Sequence, residues 1–425
     1  MDRLSLYSAA MQQAIQADLL AEEDTTIIWI DEDVLQAKVS QLQTSFPPST
    51  LHAVAIKSNP LVKVLEQLVT WGVGLEAASM GEMALAKAAG CPNDRLVFDS
   101  PAKTQQEIRE VITTYKGCYL NADNLEELDR IPHDAAVKVG LRINMGKNVT
   151  GVQYLNVSER YSKFGAPIHE REQIVAAVRA HPRVTGLHIH SGSQMDQLEQ
   201  SVANISSLIQ LANAINEAQP GKIRWIDIGG GLPVDYHNPS QDALAEYVAL
   251  LKVHCPQLFD GSYQVITELG RWVHAQAGWT ATRVEYVKPT DEGGVAVIHA
   301  GADLFLRECY TPGTWYHGLQ VLDTAGAQKS RRHQREYTLA GPLCFGGDIV
   351  DRERLLPEIS AGDWIIIEDT GANSFALWSR HCSRAFPKVL AYEKVDERYK
   401  TKCIKKRETI NDLVRFWGDL GNTQI

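Results

Sequence analysis

No stretch of the sequence reaches the roughly 18 uncharged apolar residues that a membrane-spanning helix needs. The opening segment carries Asp2, Arg3, Asp18, Glu22 and Glu23, which no secretory hydrophobic region would hold. Cysteine is scarce, seven in 425 residues, and none lies in a CxxC pair, so neither a disulfide framework nor a structural zinc site is indicated. Positive charge is in deficit: 42 Lys and Arg stand against 52 Asp and Glu, a net charge of −10. Such a chain is a poor non-specific partner for phosphate backbones, which need clustered cations. The one basic run, Lys400 to Arg407, reads as a solvated face. These absences point to a soluble, cytoplasmic protein acting on a small molecule, with no membrane, nucleic acid or metal among its partners. The sequons at Asn148, Asn156 and Asn204 then carry no meaning.

What is present is a long alternation. Short apolar runs at Leu51–Ile56, Gly72–Ala77, Arg95–Phe98, Cys118–Leu120, Val137–Ile143, Val184–Ile189, Ile223–Ile228 and Gln264–Thr267 are separated by helix-like stretches, among them Met80–Ala89, Gln105–Thr113 and Leu198–Glu217. Eight such strands alternating with helices predict an α/β (β/α)8 barrel over residues 27–275, with an open doubly wound sheet as the alternative. After residue 275 the texture changes to short β-branched runs with Gly and Pro between them, at Val284–Val287, Val295–His299, Glu336–Leu339, Asp363–Glu368 and Lys388–Tyr392. These predict a mostly antiparallel β domain made of residues 276–425 and the opening segment 1–26, closed by an amphipathic helix over Glu408–Leu420.

Active sites of such barrels gather at the C-terminal ends of the strands. Those ends hold Lys57, Glu76, Arg142, His188 and His190, Asp227 with Gly229–Gly231, and Glu268 with Arg271. A glycine loop lets backbone amides approach an anion, and arginine adds a bidentate charge partner, so Gly229–Gly231 and Arg271 after strands 7 and 8 read as a phosphate cradle. A lone lysine is ordinarily a surface residue. Lys57 follows an apolar strand into the barrel mouth, where desolvation and nearby cations would lower its pKa, as an amine nucleophile requires. A phosphate pocket beside such a lysine suggests pyridoxal 5'-phosphate.

Six ordered blocks carry a resemblance: Ala55-Ile56-Lys57-Ser58-Asn59-Pro60, His190-Ser191-Gly192-Ser193-Gln194, Asp227-Ile228-Gly229-Gly230-Gly231, Glu268-Leu269-Gly270-Arg271, Gly341-Pro342-Leu343-Cys344 and Asp369-Thr370-Gly371-Ala372. The chain resembles the fold-type III, alanine-racemase-like pyridoxal phosphate decarboxylases, which include the diaminopimelate and ornithine enzymes. The resemblance implies a homodimer with active sites at the subunit interface. It implies that Lys57 is the Schiff-base lysine, that His190 stacks on the cofactor ring, and that Glu268 pairs with the ring nitrogen so that the ring can take up electrons. Gly230, Gly231 and Arg271 match the phosphate cradle, with Ser193 and Gly270 beside them, while Glu76 and Arg142 fit a polar ring beneath the cofactor. Cys344 matches the residue that reprotonates the product from the second subunit, and Arg307 a substrate-carboxylate ligand. Ser162-Lys163-Phe164-Gly165 resembles a mobile loop. An amino-acid racemase of this fold, or a non-catalytic protein similar to the antizyme inhibitors, are the alternatives.

Three positions depart from the family pattern. Phe345 stands where an acidic residue usually grips the distal end of the substrate, and Asn373 where a tyrosine usually contacts the cofactor. Leu269 replaces a proline. A phenyl ring cannot pair with a distal ammonium, so a modified or conjugated diamino acid is expected, as in siderophore-type pathways, with Asp348 left to bind a distal polar group.

Overall fold

The computed structural model describes residues 2–238, 240–291, 293–396 and 398–418. Two compact units divide the chain: one holds residues 36–235 and 239–273, the other residues 1–35, 236–238 and 274–425.

The first unit is a closed barrel. Its strands are Leu51–Ala55, Gly74–Ala77, Leu96–Asp99, Tyr119–Ala122, Lys138–Asn144, Val184–His188, Trp225–Asp227 and Gln264–Thr267. Each pairs in parallel with the next, and the eighth returns to the first through Ile266 opposite Leu51 and Thr267 opposite His52. These strands are buried along nearly their whole length, which is why they read as unbroken apolar runs rather than alternations. Helices between them start where their caps predict. Ser79 accepts the Glu82 amide, and Thr104 with Glu107 forms a reciprocal capping box. The floor of the barrel is filled by Trp225 of the seventh strand, packed with Tyr119, Val97, Leu51, Ala53 and Ile266.

The second unit is a nine-stranded, mostly antiparallel sheet. Its centre is the strand Thr26–Asp31, antiparallel to Gly278–Pro289 and parallel to Lys388–Val395. The boundary expected at residue 27 would have given this segment to the barrel. Fully buried, it fits the interior of either sheet, and only its pairing partners decide which. Trp29 stacks on Trp279 with centroids 4.7 Å apart, and the helix Arg3–Gln16 packs over them. Strands at Gly293–Ile298, Leu319–Leu322, Gln334–Ala340, Ile349–Pro357, Trp364–Ile367 and Arg398–Lys405 complete the sheet; the last contains most of the basic run, whose Lys400 and Lys402 pair with Glu393 and Glu32. The closing helix spans Ile410–Trp417, and residues 419 and 420 of the expected range lie outside the described residues. Among the described residues no helix is long and apolar enough to cross a membrane.

Candidate active site

The strand ends of the barrel bring a dense set of charges together. Lys57 lies in a single 3-10 turn directly after the first strand, and its Nζ donates to Oε2 of Glu76 at 2.7 Å. Glu76 is wholly buried, whereas the lysine side chain is 45% exposed. The expectation of a lowered lysine pKa is corrected here. Burial does act to lower it, but the carboxylates of Glu76, Glu268 and Asp99 outweigh burial, and the ammonium is held above the ordinary lysine range. The strand-end groups that face Lys57 are these acids rather than the cations. For Glu76 burial is the larger influence and pushes its pKa up despite Lys57.

Beneath this pair, Arg142 reaches Asp99 at 3.1 Å and Asp123 at 3.7 Å, and lies 4.4 Å from the ring of Phe164 in the Ser162–Gly165 loop. Burial works against the Asp99 carboxylate, yet Arg142, His188 and Lys103 together hold its pKa below the usual range. His188 sits between Asp99 (3.7 Å) and Glu268 (3.8 Å), and burial pushes its imidazole down to about 3, leaving it neutral. His190 accepts the Gly230 N–H on Nδ1 at 3.0 Å, which places its own proton on Nε2. Burial, then Lys57 and Arg142, keep its pKa well below normal, so it presents a neutral ring.

The loops after strands 6, 7 and 8 are stitched to one another. Met195 N–H donates to the Gly231 carbonyl, and Glu268 N–H to that of Gly229. Arg271 donates to Ser193 Oγ from Nε (3.4 Å) and Nη2 (3.3 Å). Only glycine fits at 230 and 231: a Cβ would stand 2.4 Å from the Glu268 carbonyl and 2.1 Å from that of Gly192, and Gly231 adopts φ +103°. Gly270 is equally confined, its Cβ position 2.6 Å from Ser58 Oγ.

The remaining sequence-derived residues lie in the second unit. Arg307, on the short helix Leu306–Tyr310, has its guanidinium 4.9 Å from the Trp315 ring. Cys344 is exposed in the turn that follows Gly341, and Phe345 lies between the rings of Tyr310 (5.5 Å) and His381 (5.9 Å). Asp348, expected to face a substrate, is buried instead, and its carboxylate accepts the amides of Ala302 (2.6 Å) and Leu343 (2.5 Å). It is a latch between the turn leading to Arg307 and the turn carrying Cys344. Asn373 adopts a left-handed φ of 56° and is half-buried.

One observation decides what the barrel end holds. Glu268 is buried, and neither of its carboxylate oxygens has a hydrogen-bond partner. Burial first, then Asp227, Glu76 and Asp99, raise its pKa well above the ordinary 4.5. An orphaned buried carboxyl needs a partner, and a protonated pyridine nitrogen is one. A primary amine, a glycine loop and an arginine at the same strand ends supply the partners for an aldehyde and a phosphate. The residues fit pyridoxal phosphate. Residues 32–275 match the family described as pyridoxal-dependent decarboxylase, pyridoxal binding domain. The chain belongs to this family.

Among relatives of this decarboxylase, diaminopimelate decarboxylase of Pseudomonas aeruginosa is 29% identical over 366 residues, 84% of each chain. That of Deinococcus radiodurans is 28% identical over 411 residues, 96% of this chain and 99% of the relative. A variant of the Helicobacter pylori diaminopimelate decarboxylase, solved with L-lysine, superposes with a TM-score of 0.83 at 25% identity, covering 95% and 99% of the two chains. Pyridoxal phosphate is thus the cofactor of this enzyme and amino-acid decarboxylation its reaction.

Asp99 was not singled out as a member of the decarboxylase site although it directly follows the third apolar run, as Lys57 and Glu268 follow theirs; the observed strand ends on it. Asn121, the residue after the fourth run, was passed over as well, and it donates to Asp227 at 3.3 Å.

Proposed function

We propose that this enzyme removes the α-carboxylate of a diamino acid whose second amino group is conjugated or otherwise uncharged, working as a homodimer in which each chain lends Cys344 to its partner's barrel. The unpaired carboxyl of Glu268 carries the reading, since it favours a protonated ring nitrogen and hence release of carbon dioxide. When bound, pyridoxal phosphate supplies an aldehyde that condenses with amines and a ring that accepts the electron pair left by the departing carbon dioxide.

The chain's own residues do the rest. Lys57 supplies the amine that would condense with the aldehyde, and Glu76 Oε2, 2.7 Å from Nζ, orients it. Glu268 holds a proton at the ring nitrogen. His190 lays a neutral imidazole face on the ring, because its Nδ1 is already committed to Gly230. Arg271, oriented by Ser193, binds the phosphate with the amides of the Gly230–Gly231 loop. Arg307 binds a substrate carboxylate, and Cys344 gives a proton to the carbon that has lost its carboxylate.

The Helicobacter relative was solved with L-lysine, the α-decarboxylated form of diaminopimelate. Here Phe345 and its neighbours Tyr310 and His381 form an aromatic surface that favours a flat or acylated tail over a bare ammonium. A carbon-dioxide-release screen of the holoenzyme tests this. N-acylated or citryl-conjugated diamino acids, of the kind siderophore assembly uses, are expected to outpace diaminopimelate, lysine and ornithine. Faster release from diaminopimelate would overturn the substrate class, and Lys57→Ala should silence every substrate.

A further inference from the structure

Of the seven cysteines, four are buried (Cys91, Cys118, Cys255 and Cys309) and three are exposed (Cys344, Cys382 and Cys403). Burial pushes the thiols of Cys91, Cys118 and Cys255 up to about 12, which leaves them inert to oxidants. Two of the exposed three touch. The Cys344 N–H donates to Sγ of Cys382 at 3.4 Å, across 38 residues of sequence. The Cys344 nitrogen is one bond from its own Cα, so the Cys382 sulfur lies within about 5 Å of that Cα. A sulfur this close to the facing Cα is compatible with the Cα separation a disulfide needs, up to about 7 Å.

The turn that offers Cys382 is itself unusual. Cys382 and Ser383 are consecutive non-glycine residues with φ of 59° and 50°, a conformation few side-chain-bearing residues adopt. Such outliers persist where surrounding structure holds them and tend to mark functional turns. Here the fold holds the thiol at position 382 against the backbone of Cys344, the proton donor of the reaction above. Nothing in that reaction uses Cys382.

We propose that Cys344 and Cys382 form an oxidation site for hydroperoxides, closing to a reversible disulfide that withdraws the Cys344 sulfur from catalysis. This consequence for activity rests on Cys344 being the proton donor. In the first step one thiol sulfur attacks a peroxide oxygen, the O–O bond breaks, and a sulfenic acid forms with one water from hydrogen peroxide, or one alcohol from an organic hydroperoxide. In the second the other thiol displaces the sulfenic oxygen as water, forming the S–S bond. The two thiols lose two electrons and two protons, and the peroxide accepts both.

The test treats holoenzyme with hydrogen peroxide, blocks free thiols, and maps peptides. A peptide pair joined through Cys344 and Cys382 is expected, with turnover falling on the order of 100-fold, the usual loss for a general acid, and returning with dithiothreitol. Cys382→Ser and Cys382→Ala should keep the basal rate and form no cross-link, while Cys403→Ser should cross-link as wild type does. If Cys344 and Cys382 stay separately alkylatable while Cys403 reacts, the site does not exist. If the cross-link forms and turnover is unchanged, the pair stands but its control of activity, and with it the donor role of Cys344, is overturned.

Discussion

Glu268 is placed at a cost. Its carboxyl is buried with both oxygens unpaired, and its pKa is raised first by burial and then by Asp227, Glu76 and Asp99. Because the folded chain holds this proton more tightly than the unfolded one, the cofactor-free protein gains stability at low pH and loses it as pH rises from 4.5 upward. Glu268→Gln removes the titration while keeping the shape. In cofactor-free protein its melting temperature should therefore exceed that of wild type by a margin that widens as pH is raised from about 5 to about 8. Bound pyridoxal phosphate should narrow that margin, and turnover should fall on the order of 100-fold. A constant margin across pH would mean that Glu268 is already ionised and paired. At this scale, which residues crowd the strand ends was legible, since Lys57 and Glu268 each follow an apolar run directly and Arg271 comes three residues after Glu268. Which of them touch was not. The sequence places Lys57 among unspecified neighbours, and its pKa moves upward rather than downward because those neighbours are Glu76, Glu268 and Asp99.

The strands themselves were legible to within a few residues, because a parallel strand buried on both faces leaves an apolar run between polar helices. How they fill the space they enclose was hidden, since packing depends on the sizes of residues far apart in sequence. Trp225 in the seventh strand shows this. A Cβ on Gly186 of the sixth strand would lie 2.1 Å from its ring, and one on Gly140 of the fifth 2.3 Å from it. Two small residues therefore make room for one large one, which also meets Tyr119 edge-on at 5.1 Å and donates from Nε1 to Thr185. Gly186→Ala should cost about 3 kcal/mol in chemical denaturation, because a rigid indole between strands cannot move aside. Trp225→Leu alone should also destabilise, by leaving a cavity. Combined with Gly186→Ala it should cost less than the sum of the two, since the smaller side chain removes the clash. Simple additivity would show that the indole and Gly186 do not constrain each other.

The division into a barrel and a second sheet could be read from the change of texture near residue 275, but the segment Thr26–Asp31 could not be assigned, because an apolar strand does not name its sheet. That division sorts the reaction's proposed groups. Lys57, His190, Glu268 and Arg271 belong to the barrel unit, whereas Arg307 and Cys344 belong to the other. If a complete site draws its barrel residues from one chain and Cys344 from its partner, chains with different defects can rescue one another. Lys57→Ala homodimers lack the amine at both sites, and Cys344→Ala homodimers lack the thiol at both. A dimer with one chain of each kind has one site with both defects and one with neither. Equal mixing and random reassociation make half the dimers hybrid, each with one intact site of two, so about a quarter of wild-type activity should return. If Cys344 instead served the barrel of its own chain, every site in every dimer would carry one defect and the mixture would stay as slow as its parents. Native mass spectrometry on the same sample shows whether hybrids are present, so a flat result with hybrids formed would remove the shared site.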